Sequence, residues 1–105
     1  HPLQLPYWHK GADVCWFSFP ITFYGDRGAL LRHLEKNGIE TRPMFSGNIT
    51  RHPAFVKSEY RISGSLSESD TITEKSFWIS CHPSLTKDDL KYIVSVFNSF
   101  FKNHV

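Results

Sequence analysis

Cysteine is scarce: Cys15 and Cys81 are the only two in 105 residues. That is too few for a disulfide framework. Each lies near a tryptophan in a strand-like run, so both are expected to be buried, reduced thiols acting as small hydrophobes. Charge of one sign is also lacking. Twelve Lys and Arg against ten Asp and Glu leave +2, which gives no electrostatic case for nucleic acid or an anionic membrane. No apolar run approaches the ~20 residues needed to cross a bilayer. No basic segment leads into an apolar core as a targeting signal would, and a cytoplasmic protein is expected. The six histidines are scattered. None pairs with another at i,i+4, and no Cys or carboxylate completes a ligand set, so no metal site is expected. His52 and His82 precede prolines in turns, and His1 and His104 are terminal. Neither Ser46 nor Cys81 lies in a nucleophile motif. Gly47 is alone in its loop and makes no phosphate-binding fingerprint. The chain is therefore expected to contain no catalytic residue of its own.

What is present suits one domain with a real core, since 40% of residues are apolar and 15% aromatic. Residues 1–14, with Pro2, Pro6 and Gly11 and no periodicity, read as an entry segment continuing from a longer chain; the domain proper is 15–105. Cys15 to Tyr24 is dense in aromatic and β-branched residues and predicts a strand, with Pro20 placing part of it at an edge or bulge. Asp26 is a suitable N-cap for a helix carrying Leu30, Leu31 and Leu34, which Asn37-Gly38 ends. Ile39 to Arg42 predicts a short strand. From Pro43 to about Leu66 the pattern dissolves, apart from a possible helical turn at Ala54-Phe55-Val56. Phe45, Ile49, Phe55 and Tyr60 nevertheless argue against disorder there. Ser69 is a candidate cap for a short helix over 70–76, and Phe77 to Cys81 predicts a buried strand. Thr86 and Asp89 form a capping-box-like start. They open a final helix whose Leu90, Ile93, Val94, Phe97 and Phe101 are expected to share the buried face. The sum is a two-layer α+β domain: a short mixed sheet of about three strands with two or three helices on one face.

The candidate site is the polar loop from Arg42 to Pro53, directly after a strand. Arg42 and Arg51 offer planar forks suited to phosphate or carboxylate oxygens. Ser46 and Asn48 offer the mixed donors and acceptors that sugar hydroxyls need, and Gly47 allows close backbone approach or a positive φ. A purely structural loop, with its arginines paired to Glu40, Glu59 or helix C-termini, is the competing reading.

At this loop the sequence resembles the DegT/DnrJ family of fold-type-I, pyridoxal-phosphate-dependent sugar aminotransferases and dehydratases. The likeness runs through Trp16 to Thr22, Leu30 to Pro43, Ser46 to Phe55, Phe77 to Ile79 and the terminal helix. The form Gly47-Asn48-Ile49-Thr50-Arg51-His52-Pro53 is similar to the 3-dehydratase branch, with His52 where that branch has Gln. The resemblance implies the C-terminal small domain of an enzyme that removes the 3-hydroxyl of a nucleotide-linked 4-keto-6-deoxyhexose, making deoxysugars for lipopolysaccharide. It implies pyridoxal or pyridoxamine phosphate held by an upstream domain of the same chain, none bound by this part alone, and a homodimeric parent. Arg42, Ser46, Asn48 and Arg51 are then the residues closing the substrate side of the cleft. The same domain of a sugar aminotransferase, and a free-standing α+β binding module, remain open alternatives.

Overall fold

The computed structural model describes residues 2–103. In chain order the elements are β1 (Leu3–Gln4), β2 (Phe19–Phe23), α1 (Arg27–Lys36), β3 (Thr41–Pro43), a 3-10 turn (Ile49–Arg51), α2 (Ser67–Lys75), β4 (Ser76–Ile79) and α3 (Lys87–Asn103). The strands form one sheet in the order β1-β2-β4-β3. The α+β reading holds, with two differences in the sheet. Every pairing is antiparallel, so the sheet is not mixed. A fourth strand comes from the segment read as an entry: Leu3 and Gln4 pair with Phe23 and Thr22. β1 stops short of Pro20, which lies opposite Trp78 of β4 in the half of β2 that β1 leaves uncovered. A proline without an amide donor is tolerated at such a position.

One face of the sheet meets α1 and α3. Ile21, Phe23, Phe77 and Ile79 point inward from β2 and β4, against Leu30 and Leu34 of α1 and Val96 and Phe100 of α3. Phe77, Leu30 and Leu34 are wholly buried. The strand period of two turns Thr22, Ser76 and Trp78 to the other face, where the Thr22 and Ser76 hydroxyls bond at 2.8 Å.

The helix ends follow the sequence signals in two of three cases. Asp26 accepts from the Ala29 amide at 2.9 Å, and Gly38, at φ +78°, takes the left-handed position after α1. Thr86 and Asp89 bond reciprocally, the Asp89 amide donating to Thr86 Oγ1 and the Thr86 amide to Asp89 Oδ2. At α2 the expectation fails. The helix starts at Ser67, Leu66 occupies the cap position without a side-chain bond, and Ser69 is inside the helix with its carbonyl accepting from Thr73 Oγ1. The C-terminal end of α2 is satisfied from α1 instead. Arg27 Nη1 donates to the carbonyls of Thr73 and Ser76 at 2.9 and 2.8 Å.

Two further expectations are corrected. Leu90 and Val94 are 51% and 57% exposed, while Val96 and Phe100 are the buried residues of α3; Ile93, Phe97 and Phe101 pack partly against the core as expected. His33 fixes this rotation by reaching from α1 to the Val96 carbonyl and Ser99 Oγ at 3.1 and 3.0 Å. Cys15 and Cys81 are free but exposed. The first precedes β2 and the second lies past the end of β4, where neither is drawn into the core.

Candidate functional site

After Pro43 the chain turns across the face of the sheet away from α1 and α3. The Gly47 amide donates to the Met44 carbonyl at 2.9 Å, and Phe45 and Gly47 hold φ of +44° and +56°. Gly47 has a packing reason as well as a conformational one. A Cβ there would sit 2.8 Å from Thr73 Cα in α2, too close for any side chain. The next residue latches onto the same place, the Asn48 amide donating to Thr73 Oγ1 at 2.7 Å.

Asn48 is 3% exposed. Its Oδ1 caps the 3-10 turn, accepting from the Thr50 amide at 3.1 Å and from Thr50 Oγ1 at 2.7 Å. Its Nδ2 donates to Asp70 Oδ1 of α2 at 2.8 Å. Arg51 closes on the same carboxylate as a fork, Nε to Oδ1 at 3.1 Å and Nη2 to Oδ2 at 2.9 Å. Hydrogen bonds from Arg51 and then Asn48 hold the Asp70 carboxyl below the ordinary range. The bonds to Asp70 raise the Arg51 guanidinium in turn. His52 Nε2–H donates to the Ser46 carbonyl at 2.8 Å and folds the loop back on itself.

The structure therefore ties Asn48 and Arg51 to α2, with Ser46 bonded to His52 of the same loop through its carbonyl, while Arg42 stands apart on β3, paired with Glu40. That pair is the local one the sequence offered; the partner of Arg51 is Asp70 and not Glu59. Neither arginine is an unpaired cation. Sequence reasoning missed Asp70 and Thr73, whose only visible signal was Asp70 near the start of a helix. It also missed Trp78, which strand alternation alone puts on the loop's side of the sheet. Phe45 stands edge-on to Trp78 with centroids 4.6 Å apart.

The residues present do not fit a pyridoxal phosphate site. Such a site needs an amine or imidazole facing the ring and a pocket of phosphate donors. All seven lysines are at least partly exposed, and the cavity that Arg42 lines contains neither a lysine nor a histidine. Among the described residues no group of His, Cys, Asp and Glu is placed to hold a metal ion, and no helix is long and apolar enough to cross a membrane. His1 and His104 lie outside the described residues.

The profile of the DegT/DnrJ/EryC1/StrS aminotransferase family matches residues 1–98. The chain belongs to this family. It is 41% identical, over 93% of its length, to dTDP-4-dehydro-2,6-dideoxy-D-glucose 3-dehydratase of Saccharopolyspora spinosa, of which it covers 22%. It is 40% identical, over 94% of its length, to lipopolysaccharide biosynthesis protein RfbH of Salmonella typhimurium, of which it covers 24%. The chain thus spans about a quarter of the length of these relatives. Among solved structures, a DegT DnrJ EryC1 StrS aminotransferase from Brucella abortus superposes with a TM-score of 0.82 at 21% identity, over 94% of this chain and 26% of that one. The E. coli GDP-4-keto-6-deoxy-D-mannose-3-dehydratase gives 0.76 at 22%, over 91% and 26%. At those identities the likeness is one of fold.

Proposed function

We propose that this domain forms the substrate side of the active site in a nucleotide-sugar 3-dehydratase making deoxysugars for lipopolysaccharide. The observation that carries this reading is the 41% and 40% identity, along nearly the whole chain, to a named sugar 3-dehydratase and to a lipopolysaccharide biosynthesis protein. In this reading the rest of the polypeptide, upstream of this domain, holds pyridoxal or pyridoxamine phosphate. The assembled enzyme is a cytoplasmic homodimer. Arg42, Ser46, Asn48 and Arg51 build the wall facing the nucleotide-linked sugar, with different duties. Asn48, buried and bonded to Thr50 in the loop and Asp70 in α2, shapes that wall; Ser46, Arg42 and the outer edge of Arg51 are the side chains that border ligand. No catalytic group is assigned to this chain.

The test is made on the full-length polypeptide carrying this domain, incubated with pyridoxamine phosphate and nucleotide-linked 4-keto-6-deoxyhexoses. Mass spectrometry is expected to show loss of the 3-hydroxyl from the sugar. Transfer of an amine from glutamate to the 4-keto carbon, without loss of oxygen at carbon 3, would identify an aminotransferase and refute the proposal.

A further inference from the structure

Trp78 is not explained by the loop motif or by the core. Phe77 and Ile79 on either side of it are buried against α1 and α3, while the Trp78 indole lies half-buried on the opposite face. Phe45 and Phe17 approach it edge-on at 4.6 and 5.9 Å, although those two rings are themselves 77% and 81% exposed. Phe45 holds its place at a φ of +44°, a conformation that costs a residue with a Cβ. The turn thus keeps an aromatic ring against the indole at the expense of its own backbone.

The polar surroundings are specific. Arg42 is in register with Trp78 across β3 and β4. Arg42, Glu40, Ser18 and Ser80 line, with Trp78, a shallow cavity of about 220 Å³. Complete ligand pockets run to roughly 300–1,000 Å³, so this one has room for a single small ring and not for a whole nucleotide sugar.

The charge balance decides which ring. Arg42 is bound to Glu40, and both side chains are about 70% exposed, at 70% and 71%. A phosphate drawn to Arg42 would meet the Glu40 carboxylate at the same place. A pair of neighbouring hydroxyls meets no such conflict: one donates to the carboxylate while the other accepts from the guanidinium. The serine hydroxyls donate or accept as required. The indole supplies an apolar wall for the C–H side of a sugar ring.

We propose that Trp78, with Phe45 and Phe17 at its edges and the Arg42–Glu40 pair beside it, is a contact for the neutral, hydroxylated ring of a nucleotide-linked sugar. The proposal rests on the sugar-nucleotide reading above for its ligand class, and adds Trp78 and Glu40 as residues that select the sugar portion.

Calorimetry on the full-length polypeptide tests it, using whichever of dTDP-glucose, CDP-glucose and GDP-mannose binds most tightly, against the matching nucleoside diphosphate. Trp78→Ala is expected to weaken the nucleotide sugar roughly ten-fold while leaving the diphosphate within about two-fold. Trp78→Phe should retain part of the affinity, and Glu40→Gln should weaken the nucleotide sugar selectively. Equal weakening of sugar nucleotide and diphosphate would put a base or phosphate on the indole and overturn the proposal. So would unchanged affinities in Trp78→Ala, with an indole already shielded from acrylamide before ligand is added; that result assigns Trp78 to packing against the rest of the polypeptide. Should Trp78→Ala fail to fold, wild-type affinities in both Trp78→Phe and Glu40→Gln overturn it. No binding of any of the three sugars overturns it as well. An enzyme that transfers amines yet shows the selective Trp78→Ala loss would refute the dehydratase reading and uphold this contact. A working dehydratase indifferent to Trp78→Ala would do the reverse.

Discussion

Replacing Asn48 by alanine should open the loop before it alters anything else. The side chain is 3% exposed and serves two ends: it caps the 3-10 turn through Thr50 and braces that turn to α2 through Asp70. Loss of an N-cap costs ~1 kcal/mol, and each further net hydrogen bond contributes ~1 kcal/mol. With the Thr50 amide left short of an acceptor, the local penalty is about 2–4 kcal/mol, or a 30- to 900-fold rise in the open population, using RT of about 0.59 kcal/mol. Native-state hydrogen exchange reads this directly: amides 48–52 should lose protection while those of Leu30 and Phe77 keep theirs. Asn48→Asp sharpens the test. It retains the acceptor for Thr50 but sets a carboxylate against Asp70, so its loop should open at neutral pH and recover protection as acid protonates one of the two carboxyls. Unchanged exchange in both variants, together with lost affinity for sugar nucleotide, would refute the argument and make Asn48 a ligand contact.

Gly47→Ala should unlatch the loop from α2, because the new Cβ meets Thr73 Cα at 2.8 Å and φ is +56°. Gly38→Ala, also at positive φ but with nothing within 4 Å, should cost only the ~1–2 kcal/mol of a left-handed backbone, and thermal melts of the two variants separate clash from conformation. Asp70 has its folded carboxyl lowered by Arg51 and Asn48. Its contribution is therefore complete above the unfolded aspartate value of about 3.9 and is lost as pH falls through the lower folded value. Urea denaturation from neutral to acid pH should show wild type and Asp70→Asn converging at the acid end; parallel curves throughout would remove Asp70 from the acid response.

Local chemistry was legible wherever a residue acts on its own neighbourhood. Asp26, Gly38 and the Thr86–Asp89 box do their work within a few residues, and sequence alone located them. The rotation of α3 was not legible. Apolar residues at 90, 93, 94, 96, 97, 100 and 101 cover a broad arc of the helix, and the part that faces the sheet is set from outside it. His33 bonding to Val96 and Ser99, and Phe23 packing edge-on to Phe100 and Phe101, make that choice. β1 was hidden for a similar reason. Two residues cannot show a period, and Leu3–Gln4 becomes a strand only because β2 offers its edge. In the loop, the local Arg42–Glu40 pair was legible and the distant Arg51–Asp70 pair was not. Arg51 and Asp70 are 19 positions apart, joined by an irregular segment that carries no pattern from which to infer the contact.

That pairing changes what the Gly-Asn-Ile-Thr-Arg run means. Gly47 is needed for its approach to Thr73, Asn48 for a cap and a brace, Thr50 to receive the cap, and Arg51 to grip Asp70. Every one of these duties is internal, and a loop with this construction would keep the same residues whatever sugar it faced. On the proposed reading, discrimination among substrates resides in side chains outside that construction: Ser46, the outer edge of Arg51, and the Arg42–Glu40 pair beside Trp78. Both arginines already have carboxylate partners, so their approach to a ligand is that of a neutral, directional pair and not of a free positive charge. Such a pair discriminates by the placement of hydroxyl groups, and the increment in affinity that it adds for the sugar portion should be nearly independent of ionic strength. Phosphate recognition through an unpaired arginine would instead weaken steeply with added salt.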